Sequence, residues 1–146
     1  MDVVAMIVAA LVAVPLLAVA IAHLLWSVGI MWPIRDRQLL ARTVVGAPGV
    51  ARMPPKYISF GVFLLMLGGC VVAFAVADPT SGGPGLTLLA LLAAIGFLAR
   101  GGVGYTGWWA ARTPEEPFRS LDRKSYSPLC LAVGIGFLIL VAMRLL

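Results

Sequence analysis

Residues 3–29 read VVAMIVAALVAVPLLAVAIAHLLWSVG, and no Asp, Glu, Lys or Arg interrupts the chain between Asp2 and Arg35. A helix rises about 1.5 Å per residue, so roughly 20 residues cross the ~30 Å hydrocarbon core of a bilayer. The stretch exceeds that length and is predicted to be a membrane span over about 3–29. Working outward, charges fence off three more apolar stretches. The second covers 57–77, between Pro54, Pro55 and Lys56 on one side and Asp78, Pro79 and Gly82 to Gly85 on the other. The third has an apolar run of only 86–99, too short to cross alone, so it must carry Arg100 and continue to about 109. The fourth is predicted over 127–146, with Ser127 as N-cap and Pro128 at the first helical position. Loops 30–56 and 110–126 complete the layout.

Composition supports the same conclusion. Of 146 residues, 62% are hydrophobic and 12% charged, whereas a water-soluble domain is about half apolar and a quarter charged. An aqueous fold is excluded, and the length excludes a large multidomain enzyme. The Ala, Leu, Val and Ile runs lack the alternation of a barrel strand, leaving helices to satisfy the backbone in lipid. The expected fold class is all-α: an integral membrane four-helix bundle forming one domain over 1–146. The chain opens on Met1-Asp2 rather than on a basic segment, and its first apolar stretch outruns a signal-peptide core, so the first helix is expected to be retained.

Orientation follows from the cations. The loop 30–56 and its edge carry Arg35, Arg37, Arg42, Arg52 and Lys56, the loop 110–126 carries Arg112, Arg119, Arg123 and Lys124, and the opposite side has only Arg144. By the positive-inside rule both long loops are expected in the cytoplasm and both termini outside, in the inner (plasma) membrane of a bacterium. The net charge of +5 belongs to that bias. It points to anionic lipid headgroups as partners and not to nucleic acid.

Few polar residues occur at membrane depth, and they converge. His23 and Trp26, three apart and so on one helix face, lie near the cytoplasmic end of the first span, while Arg100 approaches the same level on the third. Tyr57 opens the second span and Tyr126-Ser127 the fourth. In an ordinary bundle these groups would surround one intramembrane pocket, with His23, Trp26, Arg100 and Tyr126 as the expected ligand-binding residues. Arg100 has no carboxylate within any expected span. Its candidate partners are Asp122, Asp36, a lipid phosphate or a bound anion, unless it snorkels to the interface.

No catalytic set emerges, and no metal site is expected, because His23 is the only histidine and no ligand cluster accompanies it. Haem held by a His and Met pair is the one cofactor left open, with Met6, Met31, Met66 and Met143 scattered along the chain. Cys70 and Cys130 should differ in height by roughly 15 Å and remain separate thiols. The glycines at 68, 69, 96, 101, 102, 104, 134 and 136 are expected at close helix contacts, although 100–104 offers an unwound segment as an alternative. Pro15 should kink the first helix. The tryptophans and tyrosines read mostly as an interfacial belt.

His23-Leu-Leu-Trp26 with Gly29 and Trp32-Pro33, then Arg100-Gly101-Gly102-Val103-Gly104, Phe118 with Leu121-Asp122-Arg123, and Tyr126-Ser127-Pro128-Leu129-Cys130 resemble a family of small bacterial four-span membrane proteins known only as a domain of unknown function. The resemblance covers nearly the whole chain and implies the architecture without an activity. Three functions are therefore weighed. The first is a binding or accessory protein whose pocket takes a lipophilic ligand with an anionic or carbonyl head, or a partner helix. The second is an intramembrane enzyme or redox protein using His23 as acid/base and Arg100 as anion clamp. The third is a small oligomeric transporter, disfavoured because no expected span contains Asp or Glu. Homo-oligomers or a larger membrane complex are also among the expected partners.

Overall fold

A computed structural model describes residues 2–146 and contains helices and no strand among them. Four segments are long and apolar enough to cross a membrane: Val3–Ser27, Lys56–Ala77, Gly83–Val103 and Phe118–Leu145. The chain is thus a small polytopic membrane protein. In chain order, α1 is Val3–Ser27, α2 Arg37–Val44, α3 Lys56–Ala77, α4 Gly83–Val103, α5 Gly107–Arg112, α6 Phe118–Leu121 and α7 Ser127–Leu145. A π turn over Asp122–Tyr126 joins α6 to α7 without leaving the helix.

Local chemistry sets the ends. The Asp2 carboxylate accepts from the Val4 amide at 3.0 Å and caps α1, which continues as helix through Pro15. The chain turns out of α1 at Gly29, whose φ of +90° is open to glycine at no steric cost. Helix α4 stops at Val103, short of the expected 109, because Thr106 begins a new helix by accepting from the Trp109 amide at 3.2 Å. The stretch 100–103 is helical and not unwound. Ser127 is not an N-cap, since the helix already starts at Phe118 and places this serine inside it, fully buried.

The bundle is two helix pairs, α1 with α3 and α4 with α7, joined mainly where α1 meets α7. The tightly packed part lies in the half that holds the termini. Ala5, Ala9, Val12, Ala13 and Leu16 meet Cys70, Ala73, Val76 and Ala77, together with Ala90, Ala94, Val133, Phe137, Leu140 and Val141. Alanine on α1 and glycine on α4 and α7 permit the approach: a Cβ on Gly134 would sit 2.7 Å from the Leu98 side chain, and one on Gly101 2.9 Å from the Leu131 backbone nitrogen. Gly68, Gly96 and Gly102 have no such neighbour within 4 Å, so the packing expected of every membrane glycine applies only to some. Both cysteines are free, and the Cys70 thiol approaches the Ala13 carbonyl at 3.5 Å.

At the terminal end Arg144 does more than decorate a tail. Its guanidinium donates to the carbonyls of Val76 at 3.4 Å, Asp78 at 2.8 Å and Gly83 at 3.5 Å, and to that of Ser81. Val76 lies in the last turn of α3, where a carbonyl has no helical partner and a cation is favoured, and the other three carbonyls belong to the hairpin into α4.

Candidate ligand cavity at the loop end

Toward the long loops a cavity of about 690 Å³ lies between the helices. Its floor is the edge of the packed half, formed by Leu16, Met66, Phe97 and Val133. Its walls are almost wholly apolar, which suits the volume and character of a small-molecule site. All four residues expected from the sequence, His23, Trp26, Arg100 and Tyr126, line this one cavity. Tyr57 is not among its lining residues and is strongly exposed at the start of α3.

His23 and Trp26 stand on one face of α1, their ring centroids 4.7 Å apart. Nδ1 of His23 lies 2.9 Å from the Val19 carbonyl. A carbonyl can only accept, so in the neutral ring Nδ1 carries the proton and Nε2 presents a lone pair. Nε2 makes no hydrogen bond to any described residue. Trp26 Nε1 donates to the Trp32 carbonyl at 2.7 Å, which pins the loop 30–36 against α1.

Of the candidate partners for Arg100, the structure selects Asp122, and it corrects only the expectation that this carboxylate belongs to a loop. Because the fourth helix begins at Phe118, Asp122 lies on it at the level of Arg100 and not in a loop, and it is only 2% exposed. Arg100 Nη2 pairs with Asp122 Oδ1 at 2.7 Å, and Trp109 Nε1 donates to Oδ2 at 2.8 Å. The guanidinium also lies 5.0 Å from the Trp109 ring centroid, and its Nη1 reaches Ser127 Oγ at 3.5 Å. A buried carboxylate paired on both oxygens satisfies the chemistry that an isolated one would violate. Gly104 is part of this node, since a side chain there would collide with Ser127 and approach Asp122 Oδ2 at 3.0 Å. Asp36, the other candidate partner, caps α2 by accepting from the Leu39 amide at 2.8 Å.

The loop side of the cavity is partly covered by a folded lid, an element that the sequence reading does not include. Trp32, Pro33, Leu40, Thr43, Met53 and Pro54 from the loop 30–56 line it. Helix α2 turns Leu40, Ala41 and Thr43 inward, and Tyr126 holds it by donating to the Thr43 carbonyl at 3.1 Å. Gly46, at φ +69°, lies where any Cβ would strike Phe118. Glu115 joins the two loops: its carboxylate accepts from the Gly49 amide at 3.1 Å, its own amide donates to the Gly46 carbonyl at 3.2 Å, and Arg42 Nε lies 3.3 Å from Oε2. That last contact is an ion pair without hydrogen-bond alignment, so the Arg42 Nε proton stays unpartnered. The available signal was the spacing of Leu40, Thr43 and Val44, one face of a short helix in a segment otherwise read as loop.

Trp109, assigned by sequence to the interfacial belt, belongs to the Asp122 node, whereas Trp108 is exposed and stacks under Arg112 at 4.2 Å. Among the described residues no three of His, Cys, Asp and Glu converge as a metal-holding group. The arrangement offers hydrogen bonding in an apolar cavity: an acceptor on His23, donors on Arg100 and a half-buried thiol at Cys130.

No curated protein and no solved structure matches the chain. A family model does match, over residues 16–137, which takes in His23, the cavity walls, the lid and the Arg100–Asp122 node and confirms the resemblance carried by those motifs. The chain belongs to the family described as Protein of unknown function (DUF3995).

Proposed function

We propose that this protein is a binding or accessory protein of the membrane whose loop-end cavity holds a small lipophilic molecule. The observation that carries the reading is the convergence of His23, Trp26, Arg100 and Tyr126 on one largely apolar cavity of about 690 Å³, partly covered by a folded loop. The reading needs no catalytic group. Acid–base chemistry with Arg100 as anion clamp fits less well, because Asp122 already occupies the guanidinium. The loop end faces the cytoplasm and both termini face out, a reading supported by nine basic loop residues against Arg144 alone at the other end. The basic lid then lies against anionic headgroups.

Native mass spectrometry in mild detergent tests the reading, reporting oligomeric state and co-purifying molecules together. A bound lipophile lost on Ala22→Phe, which fills the cavity wall, is the expected result. Co-purified protein in its place would make the cavity a seat for a partner helix, and a Soret band would identify haem. Cys130 lines the cavity and Cys70 does not, so an apolar maleimide should label Cys130 and the ligand should protect it. Reporter fusions placing residues 35–56 outside the cell would overturn the orientation.

A further inference from the structure

We infer that the cavity selects lipophiles with an uncharged, hydrogen-bonding head and discriminates against anionic ones such as fatty acids. This rests on the proposed ligand-binding role. Among the cavity-lining residues Arg100 is the only permanently charged one, and its charge is matched: Asp122, 2% exposed, pairs with it at 2.7 Å behind the cavity wall. Trp109 and Ser127 hold the pair in place, through a 2.8 Å bond to Asp122 Oδ2 and a 3.5 Å contact with Arg100 Nη1. A carboxylate or phosphate entering this space meets the attraction of Arg100 and the repulsion of Asp122 together. It leaves its hydration shell with no net counter-charge to replace it, the condition under which buried ions are unfavourable.

A neutral head escapes that penalty and finds complementary groups. The guanidinium, 34% exposed along its side chain, keeps N–H donors for a carbonyl or ether oxygen. Nε2 of His23 has a free lone pair because Nδ1 is committed to Val19, and it can accept from a hydroxyl. A head combining a hydroxyl with an ester or ketone oxygen satisfies both, while Leu16, Val62, Met66, Phe97 and Val133 accommodate the chain.

The test is a competition between probes of equal acyl length, 1-monomyristoylglycerol and tetradecanoate, at equal concentration and pH 8, with bound species read by native mass spectrometry. Wild-type protein is expected to favour the glycerol ester at least tenfold. Asp122→Asn unmasks Arg100 and should shift the ratio at least tenfold toward tetradecanoate, and the double variant Arg100→Gln/Asp122→Asn should restore the neutral preference. Should Asp122→Asn fail to assemble, the wild-type ratio alone decides. Tetradecanoate bound equally or better by the wild type overturns the charge selection while the cavity reading stands. An unchanged ratio in folded Asp122→Asn also overturns the charge selection. Binding of neither probe overturns both readings.

Discussion

Asp122 shows how much of the loop-end structure depends on one carboxylate. Removing one partner of a buried ion pair strands the other, at a cost of about 3–5 kcal/mol. Asp122→Ala should therefore lower the unfolding midpoint steeply in a thermal-shift assay, and Arg100→Leu/Asp122→Leu should recover most of the loss, giving a large coupling energy in a double-mutant cycle. Adjacent glycines supply a sharper contrast. Gly101→Ala places a methyl 2.9 Å from the Leu131 backbone nitrogen and should cost roughly 1–3 kcal/mol through overpacking. Gly102→Ala meets nothing within 4 Å and should be neutral or stabilising by up to about 1 kcal/mol, since alanine is the better helix former. Equal effects from the two would sink the packing assignment. Sequence alone could not separate them, because glycine content reports that helices approach closely without saying which face does so.

Among the elements, the spans were legible and their junctions were not. Long runs free of charge announce a membrane helix by length, and the shared depth of His23, Arg100 and Tyr126 followed from counting residues from the span ends. Residues 110–126 read as loop because they are polar and contain Pro114 and Pro117. The helix nevertheless resumes at Phe118 and passes through a π turn, and that continuation brings Asp122 to Arg100. The lid escaped notice for a related reason: eight residues of α2 leave too little periodicity to stand out. Its latch is partly exposed, with Arg42 and Glu115 side chains at 41% and 27%, so the ion pair itself contributes under about 1 kcal/mol. Glu115→Ala should accordingly raise amide exchange across 37–50 while leaving the global unfolding midpoint nearly unchanged; a uniform rise across the spans would show that the lid is not a separate unit. At the opposite end, the side chain and amide of Thr80 and the hydroxyl of Ser81 donate to Asp78 and hold its carboxyl down at about 2, from an ordinary 3.8. A depressed carboxylate stabilises above its unfolded value and ceases to do so as pH falls through the folded one. Protection of the amides in residues 78–83, measured against their intrinsic exchange rates, should therefore fall between about pH 4 and 2, and Asp78→Asn should abolish that dependence.

Across the whole molecule, a solid half and a hollow half divide the bundle. Ala9 and Ala94 are fully buried in the packed core, whereas Ala18 and Ala22 line the cavity. Enlarging an alanine should thus have opposite consequences along one helix: Ala9→Phe is expected to prevent assembly, and Ala22→Phe to leave a folded protein with an occupied cavity, as read by size-exclusion profile and thermal midpoint. The division was only half visible beforehand. Polar residues mark the end at which the cavity lies, but the alanine-rich packing that makes the other half solid depends on which helices neighbour one another. Arg144 adds an order in time to this spatial division. It bonds the Asp78 carbonyl across 66 positions of chain, so a ribosome releases the α3–α4 turn long before its guanidinium clasp has been made. During that interval the newborn hairpin is held only by its internal bonds around Asp78, and arrival of α7 fastens the turn from outside.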